Sequence, residues 1–340
     1  MKCIVTGGSG YLGSALIEYL SSKSFNIVNF DKSSNKNIHA QFVKGDILDF
    51  ERLMEITKNA DIIYHCVAKV PITKNKINFK KVNTIGTENI LNAALKNKVK
   101  KIIYISSSAV FGLPKKTPIS ENDEREPIES YGLSKKEGED ICFKYMDLGL
   151  DITIIRPRTI LGSDRLGIFS ILFDWIKENK SIPVINNGDN IYQFIDIRDL
   201  NEAIYKSSLL TGSNVFNIGA EKFSTIRDTV SSCIKHANSQ SKIKNINNNF
   251  FFKLAKLISK TRLIPLQDYH FEVYGKSVFF DISKSKKILE WTPKYSNKDS
   301  IINSYQNFLD KKNNNIFDEA ISPHNSILKK GLLKYAHLFM

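Results

Sequence analysis

The stretch Lys2-Cys3-Ile4-Val5-Thr6-Gly7-Gly8-Ser9-Gly10-Tyr11-Leu12-Gly13 decides the fold. Its first half, Cys3-Ile4-Val5, has the unbroken hydrophobicity of a strand covered on both faces. From Tyr11 to Ser22, Leu12, Ala15, Leu16, Tyr19 and Leu20 fall on one helical face. Three glycines stand between strand and helix. Gly7 permits a tight turn, Gly10 lets the backbone approach a pyrophosphate, and Gly13 lets the helix pack close to the sheet. The helix start then offers N–H groups to the anion. Gly7, Gly10, Tyr11, Leu12 and Gly13 are therefore the expected cradle of a dinucleotide.

Outward from this unit the chain keeps alternating. Asn26–Phe30 reads as a second strand, ended by Asp31, which stands 18 residues beyond Gly13. A carboxylate there accepts from the adenosine ribose hydroxyls and repels the extra phosphate of NADP, so NAD is the expected cofactor. Lys32, next to it, works against that reading. Gln41–Val43, Asp61–His65, Lys101–Ile105 and Asp151–Ile155 read as further strands. Asp49–Lys58, Asn78–Lys98 and Tyr131–Leu148 read as the helices between them. Successive buried strands and helices imply a Rossmann-type doubly wound parallel sheet. After Arg156-Pro157 the rhythm loosens, as expected of a smaller mixed α/β substrate lobe at the sheet's carboxyl edge. Val215–Gly219 looks like one more strand. The expected division is 1–156 for the Rossmann domain, with returns to the sheet near 190–219. Residues 157–310 form mainly the substrate lobe, and 311–340 a linker and tail.

Composition narrows the function. Apolar residues make up 42% of 340, which fits a packed globular chain. No apolar run approaches the roughly 18 residues of a membrane span, and the strand pattern begins at the first residues, so no leader is expected. The net charge of +14 rests on 41 lysines and only eight arginines, and no nucleic-acid motif accompanies it, so no nucleic-acid partner is expected. Cys3, Cys66, Cys142 and Cys233 lack metal-ligand spacing and read as free thiols of a cytoplasmic protein, with no metal site.

Tyr131-Gly132-Leu133-Ser134-Lys135 opens a helix with phenol and ammonium on one face. An ordinary phenol ionises near pH about 10 and is a poor base at neutrality. A neighbouring ammonium and a cationic nicotinamide favour the phenolate, which then takes a proton from a substrate hydroxyl. Ser106-Ser107-Ser108 ends the fifth strand, at the sheet edge where ligands bind.

These residues, with Gly45-Asp46-Ile47, His65-Cys66-Val67-Ala68, Val82-Asn83-Thr84-Ile85-Gly86-Thr87-Glu88-Asn89, Arg156-Pro157, Phe280–Lys284 and Leu289–Pro293, resemble the NAD-dependent epimerase/dehydratase family of the extended short-chain dehydrogenases/reductases. The resemblance runs from Met1 to about Leu309. It implies an enzyme in which Tyr131 is the acid/base, Lys135 its partner and Ser107 a substrate-binding serine, with register uncertain by one between Ser106 and Ser108. It further implies that Asp46 and Ile47 meet the adenine, that Val67, Ala68 and Asn83 meet the rest of NAD, and that Pro157 lies beside the nicotinamide. In this family the helices over 78–98 and 131–148 often pair in a homodimer. The sequence leaves the oligomeric state open.

The substrate, a small molecule, is less determined. UDP-sugar 4-epimerases usually have asparagine where this chain has Thr159, and a diphosphate-holding arginine at Tyr192. Arg158, Arg165, Arg198 or Arg262 could stand in for it. Ser108, Thr159 and Tyr192 are the further expected substrate contacts. The Ser108-Ala109 pair replaces the Asp-Glu pair of the dehydratase branch. The resemblance therefore covers a nucleotide-sugar epimerase and a 3β-hydroxysteroid dehydrogenase-like enzyme on a lipid-like alcohol. A non-catalytic NAD sensor or scaffold is the reading from another class. Phe250–Lys260 and Ser326–Met340 are basic and amphipathic. Each covers its own fold or lies at the inner face of a membrane.

Overall fold

The computed structural model describes residues 1–34, 39–70, 79–163, 169–246 and 275–314. Strands and helices are numbered along the chain. One sheet gathers β1 (Lys2–Thr6), β2 (Asn26–Asp31), β3 (Gln41–Lys44), β4 (Ile62–His65), β5 (Lys101–Ile105), β6 (Ile152–Pro157) and, much later, β11 (Asn214–Ile218). Their order is β11-β6-β5-β4-β1-β2-β3, and every neighbouring pair is parallel. The chain thus winds outward from β1 in one direction and restarts at β4 in the other. The carboxyl ends of β1 and β4 flank the switch point at which such sheets bind ligands.

The sheet is buried on both faces, which is why its strands read as unbroken apolar runs. On one face α2 (Phe50–Ile56), α3 (Gly86–Lys96) and α4 (Ser130–Asp147) pack Leu53, Ile90, Leu91 and Cys142 on Ile4, Ile63, Tyr104 and Ile154. On the other, α1 (Tyr11–Ser21) and α6 (Ile197–Ser208) bring Leu16, Ile17, Leu20, Leu200 and Ile204 against Val5, Tyr64 and Phe216. Leu16 is fully buried, so Leu16→Ala should cost about 2–5 kcal/mol. Caps set the helix starts: Asp49 accepts from Arg52 N, and Ser296 and Asp299 form a capping box.

The second lobe has its own core. Phe169 and Phe173 of α5 (Phe169–Lys177) pack with Cys233 of α7 (Ile226–His236) and with Tyr305 and Phe308 of α9 (Asn297–Asn313). Among the described residues, three two-stranded sheets border it. They are β7 (Thr159–Leu161) with β10 (Phe194–Asp196), β9 (Ile191–Tyr192) with β12 (Ser224–Thr225), and β8 (Ile182–Ile185) with β13 (Ile243–Ile246). A short helix, α8 (Ser283–Ile288), packs on β11.

Two boundaries differ from the sequence reading. The helix expected over 78–98 opens with a π-helical turn, Lys80–Ile85, before α3. A linker is expected from Lys311, but α9 runs to Asn313; Lys312 Nζ holds Asp174 Oδ1 at 2.5 Å and anchors that last turn. Phe250–Lys260 and Ser326–Met340 lie outside the described residues. Among the described residues no helix is long and apolar enough to cross a membrane, and no group of three or more His, Cys, Asp or Glu could hold a metal.

Candidate active site

The glycine turn lies at the switch point. Gly7 has φ 71°, a conformation that favours glycine, and its N–H donates to Phe30 O at 2.9 Å. A Cβ on Gly7 would come within 2.8 Å of Val67 N, so the loops after β1 and β4 touch here. A Cβ on Gly13 would collide with Gly7 O. Gly10 is different: its Cβ would meet only Gly7 O, at 3.2 Å. The protein itself constrains Gly10 least, as expected if a ligand excludes the side chain there. Gly10 is also the N-cap of α1, with no side-chain cap and no acid in the first turn. The dipole of α1 thus favours an anion at this end. Tyr11 is buried and Leu12 half-buried at that turn. Together these residues fit the pyrophosphate of NAD.

At the adenosine side, Asp31 reaches back to the glycine turn. Its Oδ2 accepts from Ser9 N and its Oδ1 from Ser33 N, each at 3.2 Å. Asp46, expected at the adenine, accepts from Leu48 N at 3.1 Å and pairs with Lys32 Nζ at 2.7 Å. Partial burial would raise its carboxyl, but the Lys32 and Leu48 hydrogen bonds prevail and hold it below the usual carboxylate range. Ile47 is buried against Gly86, where a Cβ would lie 2.7 Å from Ile47 Cγ2.

Asn83, expected among the NAD contacts, makes several bonds within the protein. Its Oδ1 accepts from Lys69 N at 2.7 Å, and its Nδ2 donates to Lys69 O at 3.0 Å and Ser134 Oγ at 2.9 Å. Ser134 Oγ donates to Tyr131 O at 2.7 Å. Asn83 therefore ties the loop after Val67 and Ala68 to the helix carrying Tyr131 and Lys135. Behind it, Thr87 Oγ1 donates to Asn83 O and accepts from His65 Nε2, which leaves His65 Nδ1 to accept from Thr6 Oγ1 at 2.7 Å. Full burial lowers the His65 pKa to about 3, with Lys135 adding to the effect, so the ring is neutral.

Glu129 starts the helix of the chemical group. Its carboxylate accepts from Tyr131 N at 2.6 Å and Gly132 N at 2.5 Å, fixing the backbone at Tyr131. The half-buried Tyr131 ring meets Phe79 edge-on, centroids 6.0 Å apart. One turn on, Lys135 is 3% exposed and its Nζ donates to Ile105 O at 2.7 Å. Burial pulls this ammonium down to about 8, against the opposing influence of Cys66, Cys142 and Glu139. Ile105 ends β5, and the three serines follow it. Ser106 is buried and donates to Glu139 Oε1 at 2.5 Å. Ser107 and Ser108 are half-buried, and Ser107 Oγ accepts from Ala109 N at 3.1 Å. Ser106 is thus taken up by the core, and Ser107 and Ser108 remain at the site's edge.

Glu139 gave no signal of its own in the sequence beyond lying four residues after Lys135. It is fully buried and takes a forked pair from Arg156, Nε to Oε1 at 2.9 Å and Nη2 to Oε2 at 2.7 Å. Arg125 adds a bond at 3.1 Å. The carboxylate so joins α4 to the ends of β5 and β6, beside Ser107 and Pro157. A buried pair of this kind costs about 3–5 kcal/mol when one partner is removed.

On the substrate side, Thr159 and Tyr192 meet. Their hydroxyls lie 3.0 Å apart, and Tyr192 is 6% exposed. Arg158 donates to Gln193 O and Val278 O and stacks over the Tyr192 and Phe280 rings. Arg198 forks onto Asp196 and lies over Tyr295. Neither is poised for a diphosphate. Arg165 and Arg262 lie outside the described residues.

Residues 3–219 match the sequence profile described as "NAD dependent epimerase/dehydratase family". The chain is 39% identical over 335 residues to a protein of Sinorhizobium fredii named "Uncharacterized protein y4nG", covering 97% of this chain and 84% of that one. It is 24% identical over 344 residues to the UDP-glucose 4-epimerase of Vibrio cholerae, covering 91% and 96%. Among solved structures, UDP-glucuronic acid 4-epimerase from Bacillus cereus in complex with NAD aligns with a TM-score of 0.73 at 23% identity, covering 91% of this chain and 99% of that chain.

Proposed function

Since the chain belongs to the NAD-dependent epimerase/dehydratase family, we propose that it oxidises a secondary alcohol of a nucleotide sugar with Tyr131 as acid/base, Lys135 as its electrostatic partner and Ser107 as the hydroxyl's second contact. It is an NAD-dependent enzyme of the extended short-chain dehydrogenase/reductase type. The observation that carries the residue roles is the placing of Lys135. Its ammonium is buried on Ile105 O, two residues before Ser107 and one helical turn after Tyr131.

The cofactor, when bound, supplies the hydride acceptor. The protein's share is to hold and move the proton. The substrate hydroxyl lies between Ser107 Oγ and the Tyr131 phenol. Ser107 Oγ accepts from Ala109 N, which turns its own proton toward the substrate oxygen. As charge builds on that oxygen, Tyr131 takes the proton, and the Lys135 ammonium favours the phenolate that can do so. Glu129 at the start of α4 and Asn83 through Ser134 hold Tyr131 in place. Return of a hydride to the opposite face of the same carbon, with Tyr131 giving the proton back to its oxygen, would give epimerisation; release of the ketone would give net oxidation. Gly7, Gly10, Tyr11, Leu12 and Gly13 hold the pyrophosphate, Asp31 the ribose, Asp46 and Ile47 the adenine, Val67 and Ala68 the middle, and Pro157 the nicotinamide side.

The Thr159–Tyr192 pair favours a second reading, a hydroxysteroid dehydrogenase-like enzyme, because it places a phenol where 4-epimerases carry a diphosphate-holding arginine. A panel of UDP-glucose, UDP-galactose, UDP-glucuronic acid, dTDP-glucose and hydrophobic secondary alcohols separates the two. Turnover is followed by NADH fluorescence and by NMR of the sugar. Conversion of a sugar nucleotide is expected. Response to hydrophobic alcohols alone moves the assignment to the second reading, and NAD binding with no response to any member contradicts both.

A further inference from the structure

A cation directly after the acid that ends β2 is placed to receive the 2′-phosphate of NADP, and this chain has one, Lys32. In the structure Lys32 is turned away from that task. Its Nζ pairs with Asp46 Oδ2 at 2.7 Å, while Asp46 Oδ1 is fixed by Leu48 N. Asp31 is committed to the glycine turn through Ser9 N, and its own main chain is tied to the same corner by Gly45 N, which donates to Asp31 O at 3.0 Å. Asp46 therefore holds the ammonium, while the neighbouring Asp31 carboxylate is occupied by Ser9 N and Ser33 N. Lys81, on the π-helical turn, adds to the positive field that holds Asp46 ionised. Lys44, paired in register with Asp31, is exposed, and no ion pair to it is needed for the contact between Lys32 and Asp46.

We infer that Asp46 is a cofactor-specificity residue: by holding Lys32 it denies the enzyme a cation for a 2′-phosphate and so enforces the choice of NAD. This goes beyond an adenine contact, which would serve NAD and NADP alike. A phosphate carries about −1.5 to −2 charges at neutral pH. To bind it, Lys32 would have to leave Asp46, and the phosphate would then face both Asp31 and Asp46. The ion pair itself is largely exposed and therefore weak. Its importance is in where it parks the charge, since discrimination depends on the difference between two ligands and a repulsive element counts fully in that difference.

The test reads the ratio of NADP to NAD affinity by calorimetry on the full chain, so it needs no substrate. Asp46→Asn keeps an acceptor for Leu48 N and removes the charge. It should raise the NADP:NAD affinity ratio roughly tenfold, by freeing Lys32 and removing one repulsion. Adding Lys32→Gln to that variant should remove most of the gain. Lys32→Gln alone, which tests the idea should Asp46→Asn fold poorly, should leave the ratio within about twofold of wild type, because Lys32 is already sequestered. A ratio unchanged in Asp46→Asn, a gain that persists in the double variant, or a severalfold loss of NADP binding in Lys32→Gln alone would each overturn the inference. An Asp46 serving only the adenine weakens both cofactors together and leaves the ratio where it was.

Discussion

The Thr159 hydroxyl lies 3.0 Å from the phenol of Tyr192. The two positions at which this chain departs from the 4-epimerase pattern, 33 residues apart, are therefore one structural unit. Arg158 stacked on the Tyr192 ring and Asn297 donating to Tyr192 O complete it. Tyr192→Phe removes only the hydroxyl of this pair. We expect a loss of about 0.5–1.5 kcal/mol in urea unfolding, the usual net worth of one hydrogen bond. An unchanged midpoint would show that the pair adds nothing to the fold.

The buried Lys135 predicts opposite trends for activity and stability with pH. Its folded value of about 8 lies below the unfolded value of 10.5. Between those values the unfolded chain still binds a proton that the folded chain has shed, so this group's contribution to stability rises with pH across that window. Lys135→Met lacks the effect. Relative to that variant, wild type should therefore gain on the order of 3 kcal/mol of stability from pH 7 to about 10.5. Turnover of the wild type should fall as pH rises through about 8, when the ammonium is lost. A gap independent of pH would contradict the burial of this charge.

His65 predicts an acid-side effect. Burial keeps the ring neutral down to about pH 3, whereas an unfolded histidine takes up its proton near 6.5. The unfolded state binds the extra proton, so stability is lost as pH falls below 6.5. His65→Gln should flatten that slope. Wild type should lose about 2 kcal/mol more than the variant between pH 6.5 and 5. Equal slopes in equilibrium unfolding would rule this out.

The sheet was legible in the sequence because its strands are buried on both faces and punctuated by glycines with mechanical roles. Gly7 and Gly13 could be read because a turn and a helix–sheet contact require them. The serine register could not. Ser106, Ser107 and Ser108 are alike in sequence, and what distinguishes them is Glu139, 33 residues after Ser106. The structural partners of Asn83 were hidden for a similar reason: the resemblance implied an NAD contact, and the bonds its side chain makes to the Lys69 backbone and to Ser134 join segments far apart in the chain. The pairing of Lys32 with Asp46 also joins separate loops, so Lys32 on its own read as a point against NAD. In each case a long-range polar contact decided the role, and such contacts have no periodicity to betray them. The extent of α9 was hidden by its asparagine-rich end, where composition suggested a linker and the Lys312–Asp174 contact extends the helix.

The claim that Tyr131 is the acid/base is tested most directly by Tyr131→Phe, which keeps the ring against Phe79 and removes the phenolic proton. NAD affinity by calorimetry should stay within a few-fold of wild type. Turnover of the substrate identified by the panel should fall by roughly a hundred- to ten-thousand-fold, the usual weight of general acid–base catalysis. Turnover within a few-fold of wild type, with NAD bound normally, would contradict the account.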